Sequence, residues 1–349
     1  MTLLVRDEAD IVDAQIAFHL HAGVDFVIAT DNRSTDGTTE ILERYEREGV
    51  LHLIREPADD LRQSEWVTRM AQLAATEFGA DWIINTDADE FWWPRGHDLK
   101  ELLDTVPRRY GVVRGAWRNY VPRPEGAPFF AERLTTRLST PGFHAHPLST
   151  HSKSAHRAAP NLRIGRGNHE AFADGLLPLR GWFPVEILHF PVRSLEHCIR
   201  KYVTQFIALE KNADKGIPEH MAEAYRAYRA GRLEAFYEPL VVEDAELAEG
   251  IEEGRLAVDD RLRDVLREIR AGGDAESPRF APPAAKRRLA FRQPDVVDQT
   301  LYASEASVLP EADLALSIGA WADDFEARLA KMERRRLARL RGMVRSVRP

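Results

Sequence analysis

The amino-acid sequence predicts an α/β fold in which helices flank a mostly parallel, twisted sheet. Short apolar segments alternate with amphipathic segments along about the first ninety residues. This alternation is typical of right-handed crossovers between parallel strands. Hydrophobic residues make up 44% of the 349 positions, which is enough for a sizeable core. Polar clusters follow three of the apolar segments, at the edge where such sheets bind ligands.

The elements of this first part can be taken in order. Val12, Ile16 and Leu20 repeat every four residues, and Gly23 ends this first helix. We predict strands over residues 3–5, 24–30, 50–54 and 82–86, and further helices over residues 39–47 and 63–78.

The remaining chain divides by composition. We expect a first domain over residues 1–192, with halves 1–95 and 96–192, and a charged helical extension over residues 193–271. Two glycines and three prolines lie between residues 272 and 285, so we interpret 272–286 as a linker. A C-terminal helical segment is predicted over residues 287–349.

Composition excludes several classes of protein. The net charge of −8 argues against a general nucleic-acid binder. Cys198 is the only cysteine, which excludes an intramolecular disulfide and a cysteine-based zinc cluster and fits a reducing compartment. We find no signal peptide and no apolar run of the roughly 18 to 20 residues that a membrane span needs. We therefore expect a cytoplasmic location.

The tetrapeptide Asp87-Ala88-Asp89-Glu90 follows the last predicted strand. Two carboxylates this close repel unless one takes up a proton or a cation lies between them. Hard oxygen ligands suit Mg²⁺ or Mn²⁺, and such an ion can clamp a diphosphate. The alternative is a solvated turn that caps the next helix.

The loop from Asp31 to Thr38 follows the second strand. Its acidic and hydroxyl side chains can hydrogen-bond a nucleobase and a ribose, and Ser34 or Asp36 can also cap the next helix. The loop contains neither a Gly-x-Gly-x-x-Gly nor a Gly-Lys-Ser/Thr motif, which excludes dinucleotide and P-loop sites.

These motifs together resemble a family 2 type glycosyltransferase with the GT-A fold. The resemblance rests on Arg6-Asp7-Glu8-Ala9, the Asp31 to Thr38 loop and Asp87-Ala88-Asp89-Glu90-Phe91, and it covers residues 1 to 95. Asp7 stands where the nearest bacterial subgroup often has Asn. A weaker echo includes Asn168-His169-Glu170 and the segment that begins at His189.

The resemblance implies a transferase that uses a UDP- or GDP-sugar and a Mn²⁺ or Mg²⁺ cofactor. Carried over by position, Asp31 contacts the base, Arg6 and Glu8 lie near the nucleotide, Asp87 faces the ribose and the metal, and Asp89 ligates the metal. Either His189 or His169 completes the metal shell.

Further candidates follow from the chemistry of transfer. Lys153 and Arg193 can balance the diphosphate charge, or they can be ordinary ion-pair members. An inverting transfer needs a general base for the acceptor hydroxyl, for which Glu170 and Glu90 are the candidates. Glu90 can instead orient the metal ligands.

Two features have both a functional and a structural interpretation. Trp92, Trp93, Trp117 and Tyr120 can form a sugar platform or pack in the core. From Lys331 to Pro349 there are eight Lys or Arg residues and one Glu, with Leu337, Leu340, Val344 and Val347 on one helical face. Such a helix can lie on the inner face of an anionic membrane. It can also pack against the protein, self-associate or fray.

The sequence therefore predicts a metal-dependent, inverting glycosyltransferase that acts on a hydroxyl acceptor: a glycan, a lipid-linked sugar or a cell-surface polymer. A sugar-nucleotide pyrophosphorylase is the enzymatic alternative, but it expects a glycine-rich loop where Arg6-Asp7-Glu8 stands. A non-catalytic scaffold that retains the fold is the other alternative.

Overall fold

The structure, a computed structural model, describes residues 1–95, 98–126, 129–139, 152–179, 184–211, 219–271, 280, 289 and 291–292. These residues belong to one compact unit, residues 1–301. Apart from positions 280, 289, 291 and 292, the predicted linker and C-terminal helical segment lie outside the described residues, and so does the basic helix.

The described strands number thirteen. They are β1 (Thr2–Val5), β2 (Val27–Asp31), β3 (Leu51–Arg55), β4 (Trp82–Asp87), β5 (Glu90–Pro94), β6 (Tyr110–Asn119), β7 (Thr136–Leu138), β8 (Ser152–Arg157), β9 (Arg163–Ile164), β10 (Ala171–Phe172), β11 (Leu177–Pro178), β12 (Val185–His189) and β13 (Leu256–Val258).

Eleven α-helices are described, together with three turns of other helix types. The helices are α1 (Val12–His21), α2 (Thr38–Arg47), α3 (Gln63–Thr76), α4 (Leu99–Asp104), α5 (Phe130–Arg133), α6 (Leu195–Cys198), α7 (Gln205–Glu210), α8 (Glu219–Arg229), α9 (Leu233–Tyr237), α10 (Asp244–Glu252) and α11 (Arg261–Ala271). Short 3₁₀ turns span Arg166–Asn168 and Glu238–Leu240, and a π-helical turn spans Ile199–Thr204.

One large sheet organises the unit. Its strand order is β3-β2-β1-β4-β8-β6-β12-β5, and β11 pairs with β6 outside this path. Among the described strands, five of its eight pairings are parallel and three are antiparallel. The predicted fold class, α/β with a mostly parallel sheet, is therefore confirmed.

The two faces of the sheet bury alternate residues of the same strands, as the period of two requires. Leu3 of β1 packs in the cluster that contains the apolar side chains of α1, whereas Leu4 packs against the cluster of α3. Ala29 and Ile28 of β2 divide in the same way. Helices α1 and α3 thus cover opposite faces, and the carboxyl ends of β1, β2 and β4 point to one edge.

A second set of contacts in this unit is ionic and involves strands β6, β7 and β12. Arg118, Arg137, Glu186, Asp259 and Arg261, which we name the arginine cluster, are all buried. Glu186 lies between Arg118 and Arg261 at 2.7 and 2.8 Å, and Asp259 lies between Arg137 and Arg261 at 2.9 and 2.6 Å. This alternating chain joins β6, β12 and β7 to the start of α11.

The structure differs from the sequence predictions in two elements. The aromatic run Phe91 to Trp93, which lies beyond the last of the predicted strands, forms strand β5 and pairs antiparallel with β12. The predicted helical extension is helical in α6 to α11, but it also contains β13, which pairs with β7. Both strands depend on partners distant in sequence.

Candidate active site

Two of the predicted acidic residues end neighbouring strands at one edge of the sheet. Asp31 is the last residue of β2 and Asp87 is the last residue of β4. Strand β1 lies between them, with Leu4 opposite Asp87 and Val5 opposite Asp31. Two interstrand spacings separate their backbones, or about 10 Å. The structure therefore brings both residues to one edge of the sheet, with Asp31 on the face of Val5 and Asp87 on the face of Leu4.

The loops after β1 and β2 are bonded to each other. The backbone amide of Asp7 donates to Ser34 Oγ at 3.0 Å, and the Thr35 amide donates to Asp7 Oδ1 at 2.7 Å. Asp7 and Arg33 adopt left-handed backbone conformations, with φ of 57° and 62°. Non-glycine residues adopt such angles only when their surroundings hold them there, and they cluster at functional sites.

Asp31 is buried and supports its own loop. Its Oδ1 accepts from the Ser34 amide at 3.0 Å and its Oδ2 accepts from Thr39 Oγ1 at 2.5 Å. Arg6, also predicted to lie near the nucleotide, has weaker contacts. Its guanidinium lies 3.4 Å from Asn32 Oδ1 and 3.8 Å from Asp59, and its side chain is 24% exposed.

Asp87, Asp89, Glu90, Lys153 and Lys201 form a group that we name the strand-end cluster. Asp87 Oδ2 accepts from Lys153 Nζ at 2.6 Å, and Glu90 Oε1 lies 2.9 Å from the same ammonium. The Lys153 ammonium thus contacts two of the three carboxyl groups from one position.

Two amide side chains complete the contacts of Asp87. Its Oδ1 accepts from Asn168 at 3.2 Å and from Gln63, the first residue of α3, at 3.4 Å. Asn168 has a positive φ of 61°, a conformation that asparagine tolerates better than most residues. Asp87 is therefore held by three donors from β8, α3 and the turn after β9.

Glu90 is fully buried. Burial raises its pKa to about 8, with Lys153 opposing the rise and Asp87 and Asp89 adding to it. Its Oε2 also accepts from the backbone amide of Asp87 at 3.1 Å. Each of its two oxygens faces a donor, so Glu90 holds the end of β4 and Lys153 in position.

Asp89 is paired with the second lysine of the cluster. Burial alone would raise its pKa, but the Lys201 ammonium outweighs burial and holds that pKa well below its usual range. Its Oδ2 pairs with Lys201 Nζ, and His189 Nε2 lies 3.6 Å from the same oxygen. Asp89 thus stays ionised at neutral pH.

His189 ends β12 and is oriented from two sides. Its ring stacks on Trp117 with centroids 4.2 Å apart, and its Nδ1 lies 2.7 Å from Asn119 Oδ1. Since an amide oxygen only accepts, Nδ1 carries the proton and Nε2 presents its lone pair toward Asp89. Burial lowers the pKa of His189, which favours this neutral ring.

The side chains of Asp89, Glu90 and His189 could hold a metal ion. Each offers one ligand atom, and these atoms lie within 4.8 Å of one another. A mixed set of carboxylate and imidazole donors fits Mn²⁺. The group differs from the predicted pair, because Glu90 rather than Asp87 stands with Asp89.

Glu8 and Arg193 meet beside this cluster. The Arg193 guanidinium contacts Glu8, and its Nε donates to Asp10 Oδ2 at 2.6 Å. Burial alone would raise the pKa of Glu8, but Arg193 and His197 lower it below its usual value. The Arg193 guanidinium therefore pairs with two carboxylates of the protein itself. Arg6, the other arginine predicted to lie near the nucleotide, has longer contacts.

His169 and Glu170 occupy different surroundings. His169 Nδ1 donates to Ser152 O at 2.7 Å, and its ring meets the Trp117 ring at 5.8 Å, so it lies beside the strand-end cluster. Glu170 is exposed and lines a cavity of about 500 Å³ with Arg114 and Phe172. Asp87, Asp89 and Glu90 do not line that cavity.

The four aromatic residues considered as a sugar platform are buried. Trp92 and Trp93 have no exposed surface, and Tyr120 stacks on Phe190 at 4.2 Å. Trp117 is 9% exposed and contacts His189. Trp92, Trp93 and Tyr120 therefore pack in the core, whereas Trp117 holds the His189 ring by stacking on it.

Sequence reasoning missed four residues of the site. They are Gln63, Asn119, Asn168 and Lys201. Asn168 adjoins His169 and Glu170 in a segment already noted, so that segment was a usable signal for it. Lys201 is one of 48 Lys and Arg residues and lies in a charged helical stretch, where nothing in the sequence distinguishes it.

Comparisons with known proteins address the first part of the chain. Residues 4–119 match the model of glycosyltransferase family 92. This match supports a glycosyltransferase, and since it covers about a third of the chain it does not place the whole chain in that family. The family 2 type stays a prediction. No curated protein matches the chain.

Several solved structures show a distant likeness. TarS 1–349 of S. aureus in complex with UDP-GlcNAc has 10% identity and a TM-score of 0.33, covering 80% of this chain and 98% of that one. The complex with UDP has 10% identity and a TM-score of 0.30, covering 84% and 98%. A longer TarS structure, of which this chain spans 42%, has a TM-score of 0.31. Likenesses this weak carry no argument about fold or function.

None of the helices in the described ranges combines the length and the apolar character of a membrane span. The cytoplasmic location and the membrane contact of the basic helix stay predictions.

Proposed function

We propose that this protein is a metal-dependent, inverting glycosyltransferase that moves a sugar from a UDP- or GDP-sugar to a hydroxyl acceptor, either a glycan or a lipid-linked or cell-surface polymer. The observation that supports the proposal is the placement of Asp31, Asp87 and Asp89 at one edge of the sheet, within the 4–119 segment that matches glycosyltransferase family 92. A GT-A arrangement of the donor site belongs to the same proposal.

The residues at hand fit a divalent ion. Asp89 and His189 would hold it, with Glu90 adjacent, because their ligand atoms already converge. When bound, Mn²⁺ or Mg²⁺ offsets the charge that develops on the departing nucleoside diphosphate.

The protein's own residues divide the remaining tasks. Asp31 faces the nucleotide from the second strand end, and Arg6 offers a loosely paired guanidinium for phosphate oxygens. Glu90 acts by holding Lys153 and the Asp87 amide in position, because it is buried and its two oxygens face those two groups. This leaves Glu170, which is exposed, as the candidate general base of the two carboxylates.

Hydrolysis of sugar nucleotides tests the proposal without knowledge of the acceptor. A panel of UDP- and GDP-sugars is incubated with the protein and Mn²⁺, and release of nucleoside diphosphate is measured. We expect at least one donor to be hydrolysed and Asp89→Asn to lower the rate about 1000-fold or more. Asp25→Asn, which changes an exposed carboxylate paired with Lys100, is the matched control and should retain full activity.

Two other results favour the alternatives. A protein that hydrolyses no donor and binds no nucleotide with any divalent ion is a scaffold. Release of pyrophosphate from a nucleoside triphosphate and a sugar phosphate identifies a pyrophosphorylase.

A further inference from the structure

Lys201 fills a position that a metal ion would need. Its ammonium pairs with Asp89 Oδ2 and donates to Pro191 O at 3.1 Å. Asp89 is buried, and the Lys201 side chain is 15% exposed. The Lys201 ammonium is thus held by two acceptors, the charged Asp89 carboxylate and the neutral Pro191 carbonyl oxygen.

The same carboxylate oxygen also faces His189. Nε2 of that ring lies 3.6 Å from Asp89 Oδ2, and its lone pair is available because Nδ1 lies against Asn119. A divalent ion bound to Asp89 and His189 would therefore contact the Lys201 ammonium. A divalent ion and an ammonium in contact within a buried site repel each other strongly, so the Asp89 carboxylate can hold only one of them at a time.

The local structure allows the ammonium to leave. Lys201 lies in the π-helical turn Ile199–Thr204, and single π-helical turns occur mostly at functional sites. The neighbouring Tyr202 and Val203 are buried, which anchors the backbone of this turn. The lysine stem is four carbons long and flexible, so the charge can withdraw while the turn stays in place.

We propose that Lys201 and the divalent ion exchange at Asp89: the ammonium neutralises the carboxylate in the metal-free protein and withdraws when the metal enters. Lys201 is then a positioning residue, which keeps the buried carboxylate ionised and in place before the donor arrives. This inference rests on the proposed function, because it takes the strand-end cluster to be the metal site.

The exchange is tested by metal binding in the absence of nucleotide. Mn²⁺ is titrated into the full-length protein, and free Mn²⁺ is followed by electron paramagnetic resonance. We expect Lys201→Met to lower the Kd for Mn²⁺ at least about tenfold, because a competing charge is removed. Lys211→Met is the matched control, since Lys211 is 46% exposed and pairs with Asp59, and its Kd should equal that of the wild type.

Thermal stability supplies a second readout. In EDTA, Lys201→Met should melt at a lower temperature than the wild type, because Asp89 loses its partner, and Mn²⁺ should restore it more than it stabilises the wild type. In the double variant Asp89→Asn/Lys201→Met, both the restoration and the gain in affinity should disappear.

The outcomes separate this inference from the function on which it rests. If wild type and Lys201→Met both bind UDP with Mn²⁺ but have the same Kd for Mn²⁺, the exchange is wrong and the proposed function stands. If neither variant binds any nucleoside diphosphate with any divalent ion, the proposed function fails. A folded Lys201→Met protein that binds Mn²⁺ more weakly than the wild type also overturns the exchange.

Discussion

The strand-end cluster and the arginine cluster are both buried ionic groups, but they differ in charge balance and place. In the arginine cluster each carboxylate lies between two guanidinium groups, and the three arginines exceed the two carboxylates. The strand-end cluster has three carboxylates and two lysines, and its carboxylates lie from the end of β4 to the start of β5.

This difference indicates different roles. Arginine holds carboxylates through a fixed, bidentate fork, which suits permanent contacts between elements. Lysine is a point charge on a flexible stem, and its contacts can be exchanged. We therefore assign docking of α11 to the arginine cluster and ligand binding to the strand-end cluster.

The largest expected effect tests the structural role of the arginine cluster. Arg261→Met leaves Glu186 and Asp259 buried with one partner fewer, and it should lower the free energy of unfolding by about 3–5 kcal/mol. Urea denaturation measures this change. Arg267→Met in the same helix is the control, because Arg267 is 57% exposed, and it should change stability little. Loss of nucleotide binding by a folded Arg261→Met protein of unchanged stability would reverse the two assignments.

The next effect tests whether His189, which lies beside the strand-end cluster, binds the metal ion. Asn119→Ala removes the acceptor that fixes the Nδ1 proton of His189. Because such partners orient metal-binding histidines, we expect Mn²⁺ affinity to fall about 10- to 100-fold in calorimetric titrations. Asn161→Ala, which removes a partner of Asp174 on an exposed loop, should leave the affinity unchanged. Equal affinities in the two variants would argue against His189 as a ligand.

The smallest effect per residue concerns pH and comes from two buried histidines outside both clusters. Burial lowers the pKa of His19 to about 3 and of His156 to about 4 in the folded protein. The unfolded chain takes up these protons first, at a pKa near 6.5, so stability is complete above pH 6.5 and falls as the pH is lowered toward 4. Each histidine should cost about 1.4 kcal/mol by pH 5.5.

Urea denaturation at pH 7.5 and 5.5 measures this loss. The arginine cluster should not contribute, because Asp259 and Glu186 have pKa values below their usual range and stay ionised. Arg261→Met should therefore show the same change between the two pH values as the wild type. Because Glu90, His169, His189 and His197 also have shifted pKa values, the part due to the two histidines is read as the difference in this change between the wild type and His19→Gln/His156→Gln. An equal change in both proteins would contradict the buried, neutral state of His19 and His156.

Much of the first third of the fold could be predicted because its signals are local. The predicted helix over residues 39–47 is observed as Thr38–Arg47, and the strand predicted over 82–86 is observed as Trp82–Asp87. Apolar periodicity and glycine punctuation operate within a few residues, so a single sequence contains them.

The rest of the sheet depends on distant pairings. Strand β5 is an aromatic run that ends in Pro94, and only its pairing with β12, about ninety residues later, makes it a strand. Strand β13 is a short segment in a helical region, and its partner β7 lies more than a hundred residues earlier. Register between such segments is set by tertiary packing, which no local pattern reports.

The residues of the site also divide into those with a local signal in the sequence and those without one. Asp31 and Asp87 could be placed at one edge because parallel strands end at a common edge, and His189 stood out as the end of an apolar run. Lys201 and Asn119 could not be found, because their roles depend on side chains that approach from other elements.

Binding of a nucleoside diphosphate tests the central claim most directly. UDP and GDP are titrated by calorimetry into the wild type, with and without Mn²⁺, and into Asp89→Asn and Asp25→Asn. We predict binding of one nucleotide that requires Mn²⁺, is lost in Asp89→Asn and is kept in Asp25→Asn. Binding that ignores both the ion and Asp89, or no binding under any of these conditions, would contradict a cation-assisted diphosphate site at the strand ends.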